Sequence, residues 1–149
     1  MVTTIGREST AEALLKDLIQ LDYDAIAAYD AAIERLDEPA FRNTLTGFRD
    51  DHRRHTQNLA PFLRELGAEV PTEGDAKQLL TKGKVVMANL MGDTAILHAM
   101  RTNEDDTNTA YGRAVEHVGL SDEARAVVRQ NLADERRHCE WILTTLKTL

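Results

Sequence analysis

Cysteine, proline, aromatic residues and long apolar runs are all scarce in this chain, and each scarcity removes a class of protein. A single cysteine, Cys139, excludes an internal disulfide framework, and it reads as a bystander rather than a nucleophile. Three prolines and 5% aromatics are poor material for a β-sandwich, which leaves helices as the expected element. No apolar run approaches the roughly 20 residues of a membrane span, and the first seven residues lack the apolar core of a signal peptide. A cytoplasmic protein is therefore expected. Basic residues are outnumbered as well: 18 Lys and Arg against 25 Asp and Glu give a formal charge of −7. Such a field opposes nucleic acid and anionic membrane surfaces and attracts cations. The 149 residues suit one compact unit, so residues 1–149 are expected to form a single domain.

What the chain does contain is helical periodicity in four stretches. The first predicted helix starts at Ser9-Thr10, where Ser9 and Glu12 have capping-box spacing. It carries Leu15, Leu18, Ala25, Tyr29, Ala32 and Leu36 on one stripe before stopping near Asp37. Pro39 opens the second, whose stripe of Phe41, Phe48, Leu59, Phe62 and Leu66 runs to Gly67. Pro71 and Gly74 mark a long connection, followed by a helical segment from about Ala76 that Gly83 and Gly92 interrupt. The third helix is expected through Val86, Leu90, Leu97, Met100, Tyr111, Val115 and Val118 to Gly119, with Met87, Met91 and Met100 as packing residues. Ser121, Asp122 and Glu123 then cap a fourth helix that continues to the C-terminus.

The two hairpins look like copies of one another. Aligning Tyr29 with Tyr111 sets Asp22 against Glu104, Ala32 against Ala114, Ile33 against Val115 and Glu34 against Glu116. Their partner helices carry Asp51-His52-Arg53-Arg54-His55 and Asp134-Glu135-Arg136-Arg137-His138, both of the form Asp-x-Arg-Arg-His. Agreement in both helix pairs at compatible spacings points to a duplicated hairpin.

Several ionisable residues fall on the apolar stripes. At about 100° per residue, Asp22 lies with Leu15, Leu18, Ala25 and Tyr29, and Asp24 points away. Glu104 takes the same place among Leu97, Met100 and Tyr111. His52 and His55 share the face of Phe48 and Leu59, Glu135 and His138 share that of Val127 and Ile142, and His98 falls off its stripe. A rise of about 1.5 Å per residue puts Asp22 and His52 each roughly 20 Å from their turn, and Glu104 and Glu135 match in the same way. Three acids and three histidines are thus expected at one level of the core. Buried carboxylates must be neutralised: a pair of divalent ions would do so, with imidazole completing the coordination of iron, manganese or zinc, and a hydrogen-bonded polar network of the six residues without metal is the alternative. The spacing of Glu135 and His138 puts both donors on one helical face. Arg53, Arg54, Arg136 and Arg137 read as solvated flanks paired with outward acids.

At these residues the chain resembles the ferritin-like di-iron and di-manganese carboxylate proteins, in which two helices give one acid each and two give Glu-x-x-His. Asp22 and Glu104 match the single acids, and Glu135 to His138 matches one Glu-x-x-His. Tyr29 and Tyr111 look like the tyrosines of the rubrerythrin-like branch, which implies hydrogen bonds to ligand carboxylates. More narrowly, the run from Asp51 to Gly67 and Asn103-Glu104-Asp105 is similar to small bacterial ferritin-like domains of unassigned function. The resemblance implies an all-α, ferritin-like four-helix bundle of two pseudo-repeated αα-hairpins with a crossover between the second and third helices. It also implies a two-metal site on Asp22, His52, His55, Glu104, Glu135 and His138, with iron first and manganese or zinc as alternatives. Ferroxidase or peroxide-reducing chemistry with O2 or peroxide is the matching expectation, and a homodimer is expected as the commonest symmetric assembly. Two departures stand out: His52 replaces a bridging glutamate, and Asp22 is shorter than the usual acid. Fewer carboxylates disfavour high-valent iron, so a non-catalytic, stress-associated bundle with a degenerate or mononuclear zinc or manganese site is the alternative.

Overall fold

In the computed structural model, which describes residues 3–73 and 90–149, the chain forms four α-helices and, among these residues, no strand. The first, α1 (Ala11–Arg35), starts one residue later than the capping-box spacing suggests. Thr10 rather than Ser9 is the cap, its hydroxyl accepting the Ala13 N–H at 3.2 Å. Residue 36 closes the helix through Leu36 N–H to Ala32 carbonyl, 2.9 Å, and Pro39 opens α2 (Pro39–Glu65) as expected. α2 ends in a Schellman turn, with Gly67 at φ +73°, its N–H on Arg64 carbonyl at 3.0 Å and Ala68 N–H on Leu63 carbonyl at 3.1 Å. Leu66, the last residue before that turn, is 52% exposed instead of packed on the stripe.

The third helix, α3 (Asp93–Val115), is shorter at both ends than its apolar pattern suggests. Gly92, at φ +87°, is its N-cap, so Leu90 precedes the helix and Met91 is exposed instead of packed. The predicted helical segment from Ala76, the Gly83 interruption, Val86 and Met87 lie outside the described residues. At the other end the Arg125 guanidinium takes the Val115 carbonyl, and Glu116 N–H turns back to Arg113 carbonyl at 3.0 Å. The helix stops there, and Val118 is exposed instead of joining the core. Ser121 caps α4 (Asp122–Thr148), accepting the Ala124 N–H at 3.1 Å.

These helices make an all-α four-helix bundle whose neighbouring pairs are α1 with α2, α3 with α4, α1 with α3 and α2 with α4. At one end the Asp93 carboxylate accepts the backbone N–H groups of Asp37 at 2.7 Å and Glu38 at 3.0 Å, so α3 begins beside the turn between α1 and α2. At the other end Leu15, Glu65 and Ser121 border one small cavity, which places the start of α1, the end of α2 and the start of α4 together. α2 and α3 therefore run in the same direction, and the end of α2 and the start of α3 lie at opposite ends of the bundle. That is the crossover expected from the sequence. Among the described residues no helix is long and apolar enough to cross a membrane.

The core is divided. One apolar cluster gathers Leu15, Leu18, Leu59, Leu63, Ala114 and Val128 towards the start of α1. A second gathers Ala32, Leu36, Leu45, Phe48, Leu97 and Ile142 towards its end. Between them lies a polar layer.

Candidate metal centre

Each helix contributes to that layer because an ionisable side chain occupies its buried stripe. Asp22 comes from α1, His52 and His55 from α2, Glu104 from α3, and Glu135 and His138 from α4; all six are 0% exposed. The structure thus brings together every residue placed in the site from the sequence. They form two overlapping groups, Asp22 with His52, His55 and Glu135, and Glu104 with His52, Glu135 and His138. Within each group the candidate ligand atoms lie within 4.8 Å of one another, an arrangement able to hold a metal ion. His52 and Glu135 belong to both groups.

The spacings are compatible with donors that share an ion. Two ligands at about 2.1 Å from one metal lie roughly 3 to 3.5 Å apart. His55 Nδ1 is 3.2 Å from Asp22 Oδ1 and 3.3 Å from Glu135 Oε1. His138 Nδ1 is 3.5 Å from Glu104 Oε1 and 3.6 Å from Glu135 Oε2.

The surrounding hydrogen bonds cross between the hairpins. Tyr111 donates to Asp22 Oδ2 at 2.5 Å, and Tyr29 donates to Glu104 Oε1. Each tyrosine therefore serves the acid of the other hairpin, whereas the sequence reading specified only that a ligand carboxylate would be the acceptor. Burial, followed by the charge of the accepting carboxylate, raises both phenols well above their ordinary pKa, so they remain proton donors. Thr107 adds a hydroxyl to Glu104 Oε2 at 3.1 Å.

The outer nitrogens of two histidines are tied in the same crosswise way. His55 Nε2 pairs with Asp134 at 2.9 Å and His138 Nε2 pairs with Asp51 at 2.8 Å, which leaves each Nδ1 facing inward. A carboxylate on the far nitrogen is the usual means of fixing a metal-binding imidazole. Arg137 bonds Asp51 at 2.6 Å and Asp134 at 3.1 Å, and Arg54 bonds the same two acids, closing a ring of four charges over the seam between α2 and α4. Both arginines are thus flanks paired with outer acids, as expected. Asp51 and Asp134, however, were not singled out from the sequence; their equivalent positions in the repeated Asp-x-Arg-Arg-His were the available signal. Asp24 also differs from expectation, being half-buried with Oδ1 unpaired among the described residues and its pKa raised by burial to about 6.

Without an ion, the cluster leans on its own charges. Burial disfavours ionised imidazole, but the charge of Glu135 and the bonds to Asp22 and Glu104 carry His52 to about 10. Burial is likewise outweighed at His55, raised to about 11 by the charge of Asp22 and the bond to Asp134, and at His138, raised to about 9 chiefly by its bond to Asp51. Against the same burial, the neighbouring histidines hold Asp22 and Glu104 below the usual carboxylate range. Even so the polar groups are not all satisfied. Both carboxylate oxygens of Glu135 and His138 Nδ1 are buried with no hydrogen-bond partner among the described residues. An unmade bond on a buried polar atom costs about 1 to 3 kcal/mol, and more on a charged one. A cation between them would meet all three atoms, so the residues present fit a metal.

The fold and this layer define a class: an all-α bundle with a buried carboxylate and imidazole cluster placed to hold metal. The chain belongs to the family described as a domain of unknown function, DUF2383, whose profile matches residues 10–117. The match spans Asp22, His52, His55 and Glu104 and stops short of α4, which carries Glu135 and His138. No curated protein and no solved structure matches the chain.

Proposed function

We propose that this protein is a ferritin-like metal protein that binds two divalent ions, iron foremost, in the polar layer of its bundle. One observation carries the reading: the Glu135 carboxylate, fully buried and shared by two groups of donors, has no hydrogen bond on either oxygen among the described residues. Asp22 and His55 would hold one ion, Glu104 and His138 the other, and Glu135 would serve both. When bound, such a pair supplies redox equivalents and open positions for O2 or peroxide, the basis of ferroxidase or peroxide-reducing activity.

The chain's own residues prepare that chemistry. Asp134 and Asp51 hold the protons on the outer nitrogens of His55 and His138, so each inner nitrogen presents a lone pair when the ring is neutral. Tyr111 and Tyr29 fix one oxygen of Asp22 and of Glu104, and the two apolar clusters exclude bulk water from either side. Asp134→Asn is expected to weaken metal binding about 10- to 100-fold without displacing a ligand. Competition titration against a chromophoric chelator measures this, and unchanged affinity would show that the outer carboxylate does not position His55.

A second reading follows from His52, which occupies the place of a bridging acid and pairs with Asp22 at 2.8 Å. On it the bundle is structural and holds one zinc or manganese ion, or none. Metal analysis of protein purified without a His tag, melting with and without chelator, and aerobic addition of ferrous iron separate the two. Two ions per chain and oxidation well above background support the first reading. A single ion, with background oxidation, selects the second; no ion, with unchanged melting, removes the metal from both.

A further inference from the structure

The three core histidines are not equivalent, and the odd one is the residue that breaks the repeat. His55 and His138 each keep one ring nitrogen for an aspartate outside the cluster, at 2.9 and 2.8 Å. Among the described residues His52 has no such outer partner. Its Nδ1 lies 2.8 Å from Asp22 Oδ1 and 3.4 Å from Glu135 Oε1, and its Nε2 lies 3.4 Å from Glu104 Oε1. One edge of the ring faces the Asp22 group and the opposite edge faces the Glu104 group. The ring is fully buried and wedged among Tyr29, His138 and His55, with centroids 5.3, 5.3 and 5.4 Å away.

We propose that His52 bridges the two metal ions through its two ring nitrogens. This rests on the two-metal reading above and assigns the residue that distinguishes the chain from the ferritin-like pattern. Imidazole offers a donor atom on each of two edges, and with both ring protons released to solvent it carries one negative charge. That is the charge of the glutamate it stands in for. The substitution then keeps an anionic donor at the centre of the site, where the ferritin-like pattern has a carboxylate. Among the described residues nothing outside the cluster competes for either nitrogen, in contrast to the rings of His55 and His138.

Zinc is a suitable probe because it accepts oxygen and nitrogen ligands and is diamagnetic. The full chain, labelled with 15N in its five histidines, is loaded with zinc, its stoichiometry determined, and its ring nitrogens observed by long-range 1H–15N correlation. The expected result is two zinc ions per chain and one ring with both nitrogens metal-bound and no ring N–H. Two further rings should each keep the N–H that Asp51 or Asp134 accepts. His52→Asn should remove the proton-free ring from the spectrum, and His52→Glu should keep two ions without it. Should either variant fail to fold, the wild-type count of ring protons decides by itself. Zinc bound while all three core rings retain a proton overturns the bridge and leaves metal binding standing. Absence of bound zinc overturns both.

Discussion

Glu135→Ala is expected to empty both halves of the site, whereas Asp22→Asn is expected to affect one. The difference follows from membership: Glu135 belongs to both donor groups and Asp22 to a single group. Removing a carboxylate from the first group leaves the second with Glu104, Glu135, His52 and His138. Removing Glu135 takes from each group the acid whose oxygens, among the described residues, make ion pairs to the core histidines but no hydrogen bond. A loss of affinity of at least about a hundredfold at both positions is expected for Glu135→Ala, more than remote partners of a ligand produce. Asp22→Asn should lower the stoichiometry to one. Equilibrium dialysis with ferrous iron or zinc reads both numbers, and two ions retained by the Glu135→Ala protein would remove this residue from the site.

The second large effect is a reversal of pH dependence on metal binding. In the metal-free protein, Asp22, Glu104, Asp51 and Asp134 titrate below their ordinary range. Their contribution to stability is complete above about pH 4 and is lost as the pH falls, because the unfolded chain then binds the extra protons. His52, His55 and His138 are raised to about 10, 11 and 9. Their contribution is complete below the ordinary imidazole value of about 6.5 and falls as the pH rises through those folded values. Asp24, raised to about 6 by burial, works against the acids, since it favours the folded state while protonated. The metal-free protein should therefore be most stable at mildly acidic pH and weaken steadily in alkali. A metal requires the imidazoles without the protons that keep them cationic, so its stabilisation grows as the pH rises. The rise in Tm on adding zinc should be small near pH 5.5 and large near pH 8.5. A rise that does not vary with pH would mean that the ion does not displace those protons.

The level of the site was legible because helical rise and angle are fixed by backbone geometry. Counting from the turn brings Asp22 and His52 to one height, and they meet at 2.8 Å. The ends of α3 were not legible in the same way. Val118 and Leu90 continue its apolar spacing, yet the helix is bounded by Gly92 and by the Arg125 contact with Val115, and that contact depends on a residue of the next helix. The partners around the site were hidden for a related reason. Asp51 precedes His55 by one helical turn, which suggests a local pair, but its carboxylate reaches His138 across the bundle. Seven residues separate each tyrosine from the acid on its own helix, and each serves the other acid instead. Spacing along one helix identifies the face of a residue, while the choice of neighbour across the bundle depends on how the helices pack.

Those crossed partnerships have a consequence for ancestry. Two identical copies of a short helical hairpin, joined around a two-fold axis, would exchange tyrosine and aspartate contacts in this manner, and neither copy would possess a complete site. In such a symmetric pair a single codon fills both equivalent positions, so any change is doubled. Joining the copies into one chain releases that constraint. The equivalents Asp51 and Asp134, Arg54 and Arg137, Tyr29 and Tyr111, and His55 and His138 are identical. Positions 52 and 135, which meet at the centre of the cluster, now hold a histidine and a glutamate. The asymmetry of this centre is therefore one that a pair of identical hairpins could not have.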